Sequence, residues 1–234
     1  MSRSDAGGPG GADETRDPVE RAVAAFAAGD PVLVHDAADR EGETDIVYPA
    51  GAVDRHAVAR LRTDAGGLIC VALSHDVCEA FDLPFLRDVL DHPAASGRPD
   101  YDARSSFSLT VNHRETHTGI TDRDRALTVA AVGRVAADAA AGESGPEAFG
   151  ATFRSPGHVH LLRAAPAGLA NREGHTELAL ALADAAGLAP AAVVCEMLDA
   201  ETGGALPPAD ARAYAEREGL VYVEGRSLIA AFRD

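Results

Sequence analysis

Residues 32–48, VLVHDAADREGETDIVY, set two short apolar runs on either side of a densely charged segment. Val32-Leu33-Val34 and Ile46-Val47-Tyr48 are too short for stable helices and rich in β-branched side chains, so both read as buried strands. Residues 36–45 between them read as a loop. Working outward, Asp17-Pro18 opens a helix: the carboxylate accepts from free N–H groups, and proline tolerates the first helical position. Val19, Val23 and Phe26 give that helix an apolar face, and Gly29 suits the turn that ends it. Further along, Asp54 caps a helix ending at Gly66-Gly67. Leu68 to Leu73 is a strand, Ser74 to Asp82 a short helix, Phe107 to Val111 a strand and Thr121 to Val135 a helix. Val159 to Leu162, Ala192 to Leu198 and Val221 to Val223 are strands, with helices at His175 to Ala186 and Asp210 to Glu218 between them. Residues 84–105 show no period and carry Pro93, Gly97 and Pro99; they are expected to form a long surface excursion. Alternating strands and helices predict an α/β (α+β) fold, a single domain whose mixed β-sheet has helices on both faces.

Composition bounds the function. The chain has 234 residues, 46% of them hydrophobic, which is enough for one core. Residues 1–16 are Gly-rich and acidic with no apolar period and are expected to be a disordered tail, leaving 17–234 as the domain. The formal net charge is −16, and there is no lysine. Such a balance repels nucleic-acid phosphates and anionic membranes, so neither is expected as a partner. A lysine-free, Asp- and Glu-rich surface resembles proteins of salt-adapted organisms such as halophilic archaea, where salt screens the self-repulsion. Cys70, Cys78 and Cys195 show no zinc or disulfide spacing. With no apolar span and no signal-peptide pattern, a soluble cytoplasmic protein is expected.

Three segments concentrate chemistry. In DREGETD, Asp39 to Asp45, four carboxylates crowd one Arg between two strands; they repel one another unless a cation neutralises them, and hard oxygen ligands suit Mg²⁺. A solvated acidic loop is the alternative. In FRSPGHVH, Phe153 to His160, a Pro-Gly turn sets His158 at a strand start, suited to a general acid or base. His158 and His160 are expected to point to opposite faces and not to share one metal. NREGHTE, Asn171 to Glu177, opens a helix whose positive end, with Arg172, would meet an anion, while His175 offers a metal a ring nitrogen. Capping by Asn171 or Thr176 is the structural alternative. HRETHTGI, His113 to Ile120, offers hydroxyl and backbone donors near Arg114, or is a polar turn. Glu196 stands in the apolar run VVCEML, where a buried carboxylate needs a partner or loses its charge.

DREGETD, HRETHTGITDRDRA, FRSPGHV, REGHTE and the later CEM, taken in order, resemble the 3,4-dihydroxy-2-butanone 4-phosphate synthase family of riboflavin biosynthesis, over roughly residues 18–232. The resemblance implies a lyase that converts ribulose 5-phosphate to the four-carbon phosphate and formate through metal-stabilised enediols. It implies Mg²⁺ or Mn²⁺, two ions per site, held by Glu41 and His175, and a homodimer. Arg40 and Asp45 would contact the sugar; Arg172, Glu173, Gly174 and Thr176, with Thr118, would hold the phosphate end. His175, Glu41 and Glu196 would also touch substrate, and His158 and Glu196 would carry protons. The family commonly shows an Asp where Asn112 stands. The competing classes are another metal-dependent sugar-phosphate enzyme, an aldolase or isomerase, and a non-catalytic sugar-phosphate or cation-binding domain.

Overall fold

The computed structural model describes residues 17–36, 42–97, 102 and 104–233. The expected tail, Arg40 and Glu41 lie outside the described residues. Seven strands form one mixed sheet: β1 (Val32–His35), β2 (Thr44–Pro49), β3 (Cys70–Leu73), β4 (Phe107–His113), β5 (Phe153–Arg163), β6 (Ala191–Glu196) and β7 (Val221–Glu224). Their order is β4-β5-β3-β6-β2-β1-β7. The β3–β5 and β1–β7 pairs are parallel and the other four antiparallel.

Among the described residues, nine helices cover the two faces, as alternating strand and helix segments predict. On one face α2 (Arg55–Thr63), α3 (His75–Ala80), α5 (Asp122–Ala140), α6 (Pro146–Thr152) and α8 (Pro208–Glu218) pack around Leu33, Ile46, Val71, Val159, Leu161 and Val193. On the other, α1 (Pro18–Ala27), α7 (His175–Ala185) and α9 (Gly225–Phe232) cover Val34, Val47, Cys70, Leu162 and Val194. Each sheet residue alternates between these cores because strand side chains repeat their facing every two residues. Side chains fix the helix starts: Asp17 accepts from Val19 N at 2.7 Å, Asp54 from His56 N and Ala57 N at 2.8 and 2.9 Å, and Thr121 from Asp124 N at 3.1 Å.

Four expectations change. β2 begins at Thr44, so Asp45 is a strand residue and not part of the charged loop. α5 runs on to Ala140, because the Ala-rich segment after Val135 keeps high helix propensity. The 84–105 excursion contains the short helix α4 (Leu86–Val89) and is tied down by Ser108, whose hydroxyl donates to Pro84 O at 2.5 Å. His158 and His160 share a face: Val159 and Leu161 between and beyond them enter the α2–α5 core, and residues two apart on a strand point the same way. All three cysteines are free thiols buried in the fold. Among the described residues, no helix is long and apolar enough to cross a membrane.

Candidate active site

The register of the sheet builds the site. Asp45 of β2 stands opposite Glu196 of β6, and the same pairing sets Val47 opposite Val194, both in the α1–α7–α9 core. Asp45 and Glu196 therefore face α7, whose first residue is His175. One ligand atom from each of Asp45, His175 and Glu196 lies within 4.8 Å of the others. Asp45 is 1% exposed; His175 and Glu196 are half-buried. Two carboxylates brought this close repel each other unless a cation lies between them. Two ligands of one Mg²⁺, each about 2.1 Å away, are at most about 4.2 Å apart, so the group needs only a small closure to grip a hard divalent ion. Oxygen donors with one imidazole also suit Mn²⁺.

Of the expected metal pair, His175 belongs to this group, and Glu41 lies outside the described residues. Asp45 was expected at the sugar and Glu196 as a proton carrier buried in its strand; Glu196 instead ends β6, half-buried, beside the other two donors. Burial pushes the neighbouring Cys70 thiol far above its ordinary range, and the negative charges of Glu196 and Asp45 add to the effect.

At the start of α7 the N-cap is Gly174, with no side-chain cap. Neither alternative capping residue serves: Asn171 donates to Pro166 O, and the buried Thr176 hydroxyl oxygen has no hydrogen-bond partner among the described residues. An 11-residue helix thus presents its positive end uncapped beside the three donors. Arg172 lies across that end. A Cβ on Gly174 would come within 2.4 Å of the Arg172 guanidinium, so glycine here makes room for the arginine. Arg172 donates to Asp102 Oδ2 and to Glu177 Oε2, each at 2.6 Å. Burial works against its charge, but Glu177 and Asp102 outweigh that and hold its pKa above the ordinary value. Glu177, 1% exposed, also accepts from Ala165 N at 2.9 Å. Glu173 is turned toward the end of the chain and pairs with Arg233.

His158 stands on the same face and at the same end of the sheet. Cys70 of β3 is paired with both Val194 and His160, and Glu196 and His158 each lie two residues from those partners toward the start of β3. His158 is exposed, and its ring meets the Asn112 carboxamide. Thr118 joins this corner through Asp124, to which its hydroxyl donates at 3.4 Å. In the HRETHTGI segment, read either as a donor set or as a polar turn, Arg114 donates to Gly150 O. His160, half-buried and edge-on to Phe107, has its pKa lowered by burial.

The family model described as 3,4-dihydroxy-2-butanone 4-phosphate synthase matches residues 20–231. The chain belongs to that family. A synthase of this name from Archaeoglobus fulgidus is 49% identical over 225 residues, covering 92% of this chain and 93% of that one. A crystal structure of a family synthase in complex with two magnesium ions superposes with a TM-score of 0.76 at 31% identity, covering 92% of this chain and 96% of that one. A two-domain synthase from A. baumannii superposes with a TM-score of 0.74 at 32% identity; this chain matches 56% of its length. Family membership accounts for the order of the motif segments along the chain, and the single mixed sheet is the fold the family structures share.

Proposed function

We propose that this chain converts ribulose 5-phosphate to 3,4-dihydroxy-2-butanone 4-phosphate and formate, the reaction of the family to which it belongs. The observation that carries the reading is the junction of Asp45, Glu196 and His175, a cation-sized group of donors set beside the uncapped, positive start of α7. Mg²⁺ or Mn²⁺, as a pair of ions, would be held by His175 and Glu41, with Asp45 and Glu196 close enough to complete the site. When bound, the cation supplies charge stabilisation for oxygens that become negative during turnover.

The chain's own groups do the rest. The start of α7, with Thr176, Gly174 and Arg172, takes the phosphate, which the helix end favours over a neutral group. Thr118 adds a hydroxyl, and Arg40 and Asp45 orient the sugar hydroxyls. Glu173 enters only as a flank of this cradle. His158, exposed on the α7 face of the sheet, moves protons at the sugar carbons, and Glu196 is the second carrier. The sequence of changes is loss of a proton from C1 to give an enediol, expulsion of water, a shift of the carbon skeleton, and release of C4 as formate with water regained. Atoms balance: one pentulose phosphate gives one four-carbon phosphate and one formate.

The protein is proposed to act as a homodimer in the cytoplasm and in concentrated salt. The exposed apolar side chains Val89, Leu90 and Phe107 support a subunit contact on the β4 side, and the −16 net charge supports the salt preference. The test is product analysis. Purified protein with ribulose 5-phosphate and Mg²⁺ is expected to release formate and the four-carbon phosphate in equal amounts. An isomerised or cleaved sugar without formate would favour an isomerase or aldolase, and tight binding with no turnover would leave a binding domain.

A further inference from the structure

The Asn112 side chain, 4% exposed at the end of β4, is engaged on every polar atom. Its Oδ1 accepts from the backbone N–H of His158 at 2.9 Å. Its Nδ2 lies 3.5 Å from Thr118 O. Both atoms also meet the same ring nitrogen: Nδ1 of His158 is 3.2 Å from Nδ2 and 3.3 Å from Oδ1. The corner is shaped around this amide. Pairing slips after Val111, which faces Val159, so that Asn112 faces Arg154 and the turn leading into His158 bows out. Thr110 Oγ1 holds that turn by accepting from Gly157 N at 3.1 Å, and Arg154 steadies the opposite loop through Thr116 O at 3.0 Å. Gly119 closes over the amide: at φ +87° its backbone suits glycine, and a Cβ there would lie 2.1 Å from Asn112 Nδ2.

A carboxylate only accepts hydrogen bonds, whereas a carboxamide both donates and accepts. An imidazole that takes and gives protons at Nε2 keeps a hydrogen on Nδ1 in both its neutral and its charged state. We propose that Asn112 is a positioning residue for His158, keeping the ring aimed in both states: Oδ1 accepts the Nδ1 hydrogen, and Nδ2, turned toward Thr118 O, sets the amide so that Oδ1 faces the ring. The inference rests on the reading of His158 as a proton carrier. It assigns the amide a task beyond filling the corner, and that task is separable by experiment.

Asn112→Ala, Asn112→Asp, His158→Ala and the Asn112→Ala/His158→Ala double variant are assayed for formate release, and the His158 ring is followed by ¹⁵N NMR in those that keep it. Asn112→Ala is expected to lower kcat by about tenfold to a hundredfold, the cost of a misplaced reacting group, with KM within about twofold. Asn112→Asp keeps the acceptor for both the His158 N–H and a protonated Nδ1, and is expected to recover most of that loss. The double variant should be no slower than His158→Ala alone, since a residue acting only through His158 has nothing left to position. The ring nitrogens should shift toward free-histidine values in Asn112→Ala and stay near wild type in Asn112→Asp. Wild-type kcat in Asn112→Ala, an added loss in the double variant, or an unchanged ring spectrum would each overturn the proposal. Wild-type turnover in His158→Ala with the expected ring shift would instead remove the catalytic reading and leave the positioning contact standing. Should Asn112→Ala fail to fold, an Asn112→Asp variant whose kcat and ring signals resemble an unsupported histidine overturns it as well.

Discussion

At the β2–β6–α7 junction, three ionisable donors crowd within 4.8 Å at the end of a buried sheet, whereas at the β4–β5 corner His158 is held by a neutral amide. The first arrangement sets two carboxylates side by side, where like charges repel and hard oxygen donors suit a divalent cation. The second is satisfied as it stands, with Asn112 hydrogen-bonded to the His158 backbone and ring. Both lie on the α7 face at the same end of the sheet, so one face carries a region that asks for a cation and a region that holds a titratable ring in place. The contrast separates a cluster of charged donors suited to a cation from a neutral amide suited to keeping a side chain's aim.

The largest effects should come from the two proposed proton carriers. Glu196→Gln and His158→Ala are each expected to lower kcat by ~10²–10⁴-fold, the range for general acid–base groups, while circular dichroism remains native. If either variant released formate at the wild-type rate, the two regions would not belong to one site. Gly119→Ala should have a middling effect. A β-carbon there adds a cost of roughly 1–2 kcal/mol for the left-handed backbone and also collides with Asn112. Thermal unfolding should fall by about 2–8 °C, and kcat should fall with it. A loss of stability at unchanged kcat would show that the amide's placement is indifferent to turnover.

The smallest effect tests a charge at the rim of the His158 corner. The Asp124 carboxyl is held below the usual carboxylate range, chiefly by the Gly119 N–H that it accepts at 2.9 Å. A depressed folded-state value means that this contribution to stability is present above the unfolded carboxyl pKa and is lost as pH falls through the folded one. Asp124→Asn keeps an acceptor for Gly119 and removes the titration. Its stability should therefore decline less than wild type as the solution is acidified below the ordinary carboxylate range, measured by denaturant midpoints. Equal acid slopes would mean that Asp124 does not hold the Thr118–Gly119 turn through its charge.

Much of this fold was legible in local pattern. Short β-branched runs gave the strands, and the Asp and Thr caps gave the helix starts, because those signals are short-range. What the pattern hid was set by tertiary context. α9 starts at Gly225 directly after β7, where a glycine reads as a terminator, and α6 is a seven-residue helix with Gly150 inside it. β5 runs from Phe153 because its Pro-Gly break is a bow in a continuing strand, a feature that pairing with β4 reveals and composition does not. The site shows the same division. The acidic segment, the RSPGH turn and the REGHTE helix start were visible as residue types, whereas the Asp45–Glu196 pairing depends on a register between strands about 150 residues apart. One signal was available: each carboxylate sits at an end of an otherwise apolar strand, where burial without a partner is expensive. The duty of Asn112 was hidden for the same reason, since its partner His158 is 46 positions away.

The account turns on Asp45, His175 and Glu196 forming a divalent-cation site in the folded protein. Electron paramagnetic resonance of Mn²⁺ titrated into the wild type, His175→Ala and Glu196→Gln measures that directly. Saturable uptake by the wild type, displaced by Mg²⁺ and weakened at least about tenfold in both variants, is the predicted result, in line with the loss of one ligand from a small coordination set. Equal Mn²⁺ uptake by all three proteins would contradict it.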